Sequence, residues 1–146
     1  MVKIASPDAD NYELINYCID NFIKVFISTG MHTPQQIRTL REHVKGKKNV
    51  VLFYCVSKYP TLITDIDFDT MLYFDGFSDH TLGIEAAKKA IDLGMPYIEK
   101  HLTLGRDLPG KDQAMSTTVD EFRQIVQYRD YVSKIDIYKK RWSNGG

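Results

Sequence analysis

Short apolar runs of β character alternate with helix patterns along this chain, and no low-complexity stretch or Pro/Gly/Ser linker breaks the alternation. Strands are expected at Val2 to Ala5, Lys24 to Ser28, Asn49 to Cys55, Tyr73 to Phe77 and Pro96 to His101. Helices are expected at Asn11 to Asn21, at Pro34 to Val44 with Thr33 as N-cap, at Leu82 to Leu93 with Gly94 closing it, and at Val119 to about Lys139. Between Thr61 and Met71, Asp65, Asp67 and Asp69 alternate with apolar residues, which predicts a short acidic helix after a loop.

Alternating β and α segments require a parallel sheet with right-handed crossovers, either closed as a barrel or open and doubly wound. The polar residues choose between these. They gather where strands end: Ser6 and Asp8, Ser28 and Thr29, Ser57 and Tyr59, Ser78 to His80, and Glu99 to Thr103. A (β/α)₈ barrel builds its site from many strand ends, whereas an open sheet uses one switch point. The fold class expected is therefore α/β, as a TIM-type barrel. A closed barrel has eight strands and roughly 250 residues, against five strands and 146 residues here. The expectation is a partial barrel over residues 1–141, lacking its N-terminal strands, followed by a tail over residues 142–146.

Lysine plus arginine equals aspartate plus glutamate at 19 each, so no net field draws the chain to nucleic acid or to an anionic membrane. Cys18 and Cys55 lie in no zinc-finger spacing, and no apolar run approaches the ~20 residues of a membrane span. A reduced, cytoplasmic setting is expected.

The densest local signal is Gly76-Phe77-Ser78-Asp79-His80-Thr81-Leu82-Gly83, where an apolar strand runs into a polar turn and a helix. His80 then stands at the barrel mouth, either as a metal ligand or as a loop histidine held by hydrogen bonds. In Tyr97-Ile98-Glu99-Lys100-His101, period two puts Tyr97, Glu99 and His101 on one face. Because paired strands lie about 4.8 Å apart, His80 and His101 at the ends of consecutive strands can reach one ion. Two imidazoles leave most of the coordination sphere open for substrate oxygens. Glu99 has a second reading, as an ion-pair partner of Lys3.

Ser57-Lys58-Tyr59-Pro60-Thr61, Ser78-Asp79-His80-Thr81, Glu99-Lys100-His101 and Pro109-Gly110-Lys111-Asp112 occur in order, after Lys3-Ile4-Ala5-Ser6 and Ser28-Thr29-Gly30-Met31. In these motifs the chain resembles the sialic acid synthase family from its first residues to about Val132. The resemblance implies condensation of phosphoenolpyruvate with an N-acetylated amino sugar, such as N-acetylmannosamine, to a nonulosonic acid with release of phosphate by C–O cleavage. It implies a divalent metal on His80 and His101, manganese before magnesium or cobalt, that polarises the sugar aldehyde. Lys3, Ser6 and Ser28 would grip phosphoenolpyruvate, with Ser78 and Asp8 in the same substrate-binding set. Ser57, Tyr59 and Asp112 match the sugar pocket, and Glu99 would orient a nucleophile or a sugar hydroxyl, so Glu99, Asp112 and Tyr59 are the catalytic candidates.

The chain departs from the family pattern at Tyr54, where relatives usually carry histidine, and at Lys111 and Gln113, where the usual motif is Pro-Gly-Pro-Asp-His. Against the family pattern it is also expected to lack about three βα units and a C-terminal antifreeze-like domain, which the resemblance implies would carry further site residues. Two functions therefore stand side by side: a synthase segment, or a truncated paralogue acting as an interaction or regulatory module. Homodimerisation, or association with the missing barrel segments, is expected in either case.

Overall fold

The computed structural model describes residues 1–143. Val2–Ile4 (β1), Val25–Ser28 (β2), Val50–Cys55 (β3), Gly76–Asp79 (β4) and Tyr97–Lys100 (β5) form one sheet, parallel throughout and ordered in space as in sequence. The helices are Tyr12–Asn21 (α1), Pro34–His43 (α2), Phe68–Met71 (α3), Glu85–Asp92 (α4) and Val119–Ser143 (α5). Their starts follow local chemistry. Asn11 accepts from the Leu14 amide, Asp67 from the amides of Asp69 and Thr70, and Thr33 and Gln36 cap each other reciprocally ahead of Pro34. Asp67 thus opens the short acidic helix expected in that segment.

The sheet curls strongly. In a flat sheet the first and fifth strands would lie roughly 19 Å apart, yet Lys3 Nζ on β1 stands 3.3 Å from Glu99 Oε2 on β5. Phe26 and Tyr97, from β2 and β5, meet edge to face at 5.7 Å across the same concave side. Gly76 serves this closeness, because a Cβ there would lie 2.7 Å from the Phe53 ring and 3.0 Å from Tyr97 Cβ. Ile4, Val25, Ile27 and Leu52 point outward and bury themselves with Ile15 and Ile19 of α1 and Leu40 of α2. Phe77 does the same with Ala86, Ala90 and Met95. Fully buried side chains such as Ile15 and Ile27 contribute about 1.5–3 kcal/mol each, so Ile27→Ala would cost about 2–5 kcal/mol once its cavity is included.

Three differences in boundary bear on the site. The fourth strand forms at Gly76–Asp79, because the amides of Tyr73 and Phe74 bond back to Thr70 and Met71 and extend the α3 turn. The fourth helix begins at Glu85 rather than Leu82, since Gly83 takes φ +74°, outside the helical range. His101 falls just past β5, where its carbonyl accepts from Thr117. A parallel two-stranded ribbon, Leu102–Thr103 (β6) with Thr117–Thr118 (β7), was not anticipated. Of the expected tail, residues 142 and 143 fall within α5, and residues 144–146 lie outside the described residues. No described helix is long and apolar enough to cross a membrane.

Candidate functional site

Period two along the curled sheet decides what faces inward at its C-terminal rim. Ser78 and Glu99 point into the concave side, while Asp79 and Lys100 point into the layer behind it. The rim encloses a cavity of about 460 Å³, within the usual range for a small-molecule site.

One wall is basic and hydroxylic. Lys3 Nζ donates to Ser28 Oγ at 2.8 Å and pairs with Glu99 at 3.3 Å, and among the described residues it is the one lysine or arginine lining the cavity. Ser6 Oγ accepts from the Gly30 amide at 3.1 Å, which joins the loops after β1 and β2. Gly30 is required by close approach, because a Cβ there would stand 2.5 Å from Ser57 Oγ and 2.8 Å from the Cys55 carbonyl oxygen.

The opposite wall holds three clustered rings, with His101 edge-on to the other two. Tyr59 lies over His80 with centroids 4.3 Å apart, and His80 and His101 are 5.4 Å apart. The 2.9 Å contact from His80 Nδ1 to the Val56 carbonyl fixes the tautomer: Nδ1 carries the proton and Nε2 the lone pair. Burial holds the His80 pKa below the ordinary imidazole range, so the ring is neutral near pH 7. The Val56–Thr61 loop carrying Ser57 and Tyr59 is fastened to the same strand end, since the Thr61 amide donates to the His80 carbonyl at 3.0 Å. His101 is fastened separately, its carbonyl accepting from the Thr117 amide at 2.9 Å and the Thr117 hydroxyl at 2.7 Å.

Nine of the eleven expected site residues therefore meet in one cavity: Lys3, Ser6, Ser28, Ser57, Tyr59, Ser78, His80, Glu99 and His101. Asp8 does not join them. It is exposed at the end of the 3-10 turn Ser6–Asp8, away from the lining. Asp112 is also exposed on the loop beyond β6, but its carboxylate reaches within 3.9 Å of His101 Nδ1. The ion pair between Glu99 and Lys3, the second reading of Glu99, is present. Cys55 lines the cavity 3.7 Å from His80 Nδ1, with burial raising its thiol pKa. Sequence reasoning had set it aside, although period two from Phe53 puts it on the inward face.

Among the described residues no group of three or more His, Cys, Asp or Glu side chains is arranged to hold a metal ion. A neutral imidazole whose Nε2 lone pair meets only the exposed Tyr59 hydroxyl at 3.2 Å, beside a second imidazole, nonetheless fits an ion that displaces that hydroxyl and keeps most of its sphere for water and substrate oxygens.

Comparison with known proteins agrees with this architecture. N,N'-diacetyllegionaminic acid synthase of Legionella pneumophila is 32% identical over 86% of this chain and 39% of its own length. Pseudaminic acid synthase of Campylobacter jejuni is 31% identical over 85% of this chain and 39% of its own length. In the crystal structure of N-acetylneuraminic acid (sialic acid) synthetase from Leptospira borgpetersenii with citrate, 33% identity accompanies a TM-score of 0.82, over 91% of this chain and 50% of that one. The chain thus spans about two fifths of the length of these curated relatives. The model of the NeuB family matches residues 1–140, and the chain belongs to that family.

Proposed function

We propose that this chain forms the phosphoenolpyruvate- and metal-binding wall of a sugar-acid synthase that joins phosphoenolpyruvate to an N-acetylated amino sugar, N-acetylmannosamine or a relative. In that reaction the methylene carbon of the enol bonds to the sugar aldehyde carbon, water adds to the carbon bearing phosphate, and phosphate departs with its C–O bond broken. The observation that carries the reading is the cavity itself, with Lys3 and the Ser6 and Ser28 hydroxyls on one wall and the His80 and His101 imidazoles on the other.

Anionic oxygens need a cation and short donors, and Lys3 with its serines supplies both. Ser78, buried between the walls, offers a further hydroxyl to the phosphoenolpyruvate side. His80 and His101 would hold a divalent ion, manganese before magnesium or cobalt, which supplies Lewis acidity toward the aldehyde oxygen when bound. Ser57 and Tyr59 bound the sugar side, Asp112 reaches it from the loop, and Glu99 is placed to orient water or a sugar hydroxyl. The setting is the reducing cytoplasm, in keeping with two free, buried thiols at Cys18 and Cys55.

The test mixes the chain with phosphoenolpyruvate, N-acetylmannosamine and manganese, and follows phosphate release alongside calorimetric binding of phosphoenolpyruvate. Sugar-dependent release, or binding abolished by Lys3→Ala, supports the reading. Absence of both overturns it.

A second reading is favoured by the open concave side, where Phe26, Phe53 and Tyr97 line a further cavity of about 500 Å³. An apolar face of this kind suits an interaction module that completes itself on a synthase chain. Co-elution with a full-length synthase, without catalysis by either His80→Ala or the unchanged chain, would select it.

A further inference from the structure

Directly behind the two imidazoles lies an ion pair shut off from solvent. Asp79 and Lys100 face each other in the β4–β5 register, with side chains 0% and 1% exposed and Lys100 Nζ 2.9 Å from Asp79 Oδ2. Their remaining bonds all go to one residue. Lys100 donates to the Thr81 carbonyl at 2.7 Å, and Asp79 Oδ1 accepts from the Thr81 amide at 2.8 Å and the Thr81 hydroxyl at 2.7 Å.

Burying two charges is costly, and replacing such a pair by uncharged groups of similar volume is often neutral or stabilising. Thermodynamic stability therefore accounts poorly for a charged pair in this layer. Its placement suggests another use. Asp79 immediately precedes His80, Thr81 immediately follows it, and Lys100 immediately precedes His101. The four bonds thus tie both flanks of His80 to the residue before His101. Apart from the backbone ladder, no other hydrogen bond made by a side chain among the described residues joins the two strand ends.

We propose that Asp79, Lys100 and Thr81 are positioning residues that set the separation and orientation of the His80 and His101 imidazoles. The inference rests on the metal-binding reading above. It adds that the site's affinity depends on a clamp that never touches the ion. Without the clamp, β4 and β5 remain paired but their ends shift independently, and two donors that must meet one ion lose their alignment.

The test is Asp79→Asn/Lys100→Met in the full chain. The amide introduced at position 79 keeps an acceptor for Thr81 and offers an N–H to the vacated Thr81 carbonyl, so no bare charge is left. Circular dichroism and melting should stay close to the unchanged protein, while manganese affinity measured by electron paramagnetic resonance falls about tenfold or more. Asp92→Asn, which removes the charge from the acceptor of the 2.8 Å bond donated by Tyr128 between the outer helices, is the control and should leave affinity unchanged. Should the double variant fail to fold, Thr81→Val removes one clamp bond at constant shape and should weaken binding by a smaller factor.

Nitrogen-resolved NMR of the imidazoles in the metal-free protein separates this inference from the reading beneath it. One sharp set of His80 and His101 ring signals in the unchanged chain, split or broadened in the clamp variants, supports positioning even if manganese never binds. A folded double variant with unchanged affinity and unchanged ring signals overturns the proposal, as does an equal loss in the Asp92→Asn control.

Discussion

The Tyr59 hydroxyl stands 3.2 Å from His80 Nε2, on the lone pair that the proposed metal ion would need. Because Nδ1 is committed to the Val56 carbonyl, the hydroxyl must donate to Nε2 and compete with the ion. Tyr59 is 53% exposed, so it can swing away. Tyr59→Phe keeps the ring stack and removes the competitor, which is a hydrogen bond worth about 0.5–1 kcal/mol net. Manganese should bind roughly two- to fivefold more tightly in this variant. Weaker binding would show instead that the hydroxyl assists the ion.

The four histidines divide cleanly by position. His43 bonds Asn16 at 2.8 Å and packs on Tyr12, and His32 lies 3.8 Å from Asp10, all outside the cavity lining. His80→Ala or His101→Ala should remove most manganese affinity by calorimetry, whereas His32→Ala and His43→Ala should leave it intact. Equal binding in all four variants would move the metal elsewhere.

Lys3 is already paired with Glu99, so under the proposed function a substrate anion would share or displace that carboxylate. Glu99→Gln relieves the competition. The variant should bind phosphoenolpyruvate several-fold more tightly, since an exposed pair of this kind is worth about 0.2–1 kcal/mol. If Glu99 also orients a reacting group, turnover should fall while affinity rises. Weaker phosphoenolpyruvate binding would show that the pair holds Lys3 in place.

Acid should loosen the fold through three named carboxylates. The Arg106 guanidinium at 2.5 Å holds the Glu121 pKa below its ordinary value, the Lys58 ammonium does so for Asp65, and bonds from Thr70 do so for Asp67. A pKa depressed on folding contributes stability that is complete above the unfolded value and is lost as pH falls through the folded one. The melting temperature should therefore be level near neutrality and decline from about pH 5 toward pH 3. Arg106→Gln should flatten part of that decline, and a melting temperature that rises on acidification would contradict the assignment.

Much of this molecule is legible in its sequence. Chain-order alternation carried the parallel sheet, and period two in Tyr97–His101 correctly set Glu99 and His101 on the cavity side. The fourth strand was drawn too early because Tyr73 and Phe74 have strand-like side chains, while their amides are taken by the α3 turn. The β6–β7 ribbon escaped because two-residue strands have no period to detect. Asp79 and Lys100 could not be matched either. Each reads alone as a solvated charge, and only the β4–β5 register turns them toward one another behind the sheet.

The spatial order of the sheet also governs how the polypeptide can acquire its shape. Val2 pairs with Val25, Val25 with Val50, Phe53 with Gly76 and Gly76 with Tyr97, so every strand waits only for the single βα unit that follows it. No late segment has to thread between two early ones. Parallel sheets normally fold slowly because their contacts close long loops. Here each closure is short and of similar length, so the wall can lengthen one stave at a time as the chain leaves the ribosome, with His80, Glu99 and His101 the last of its cavity residues to be seated.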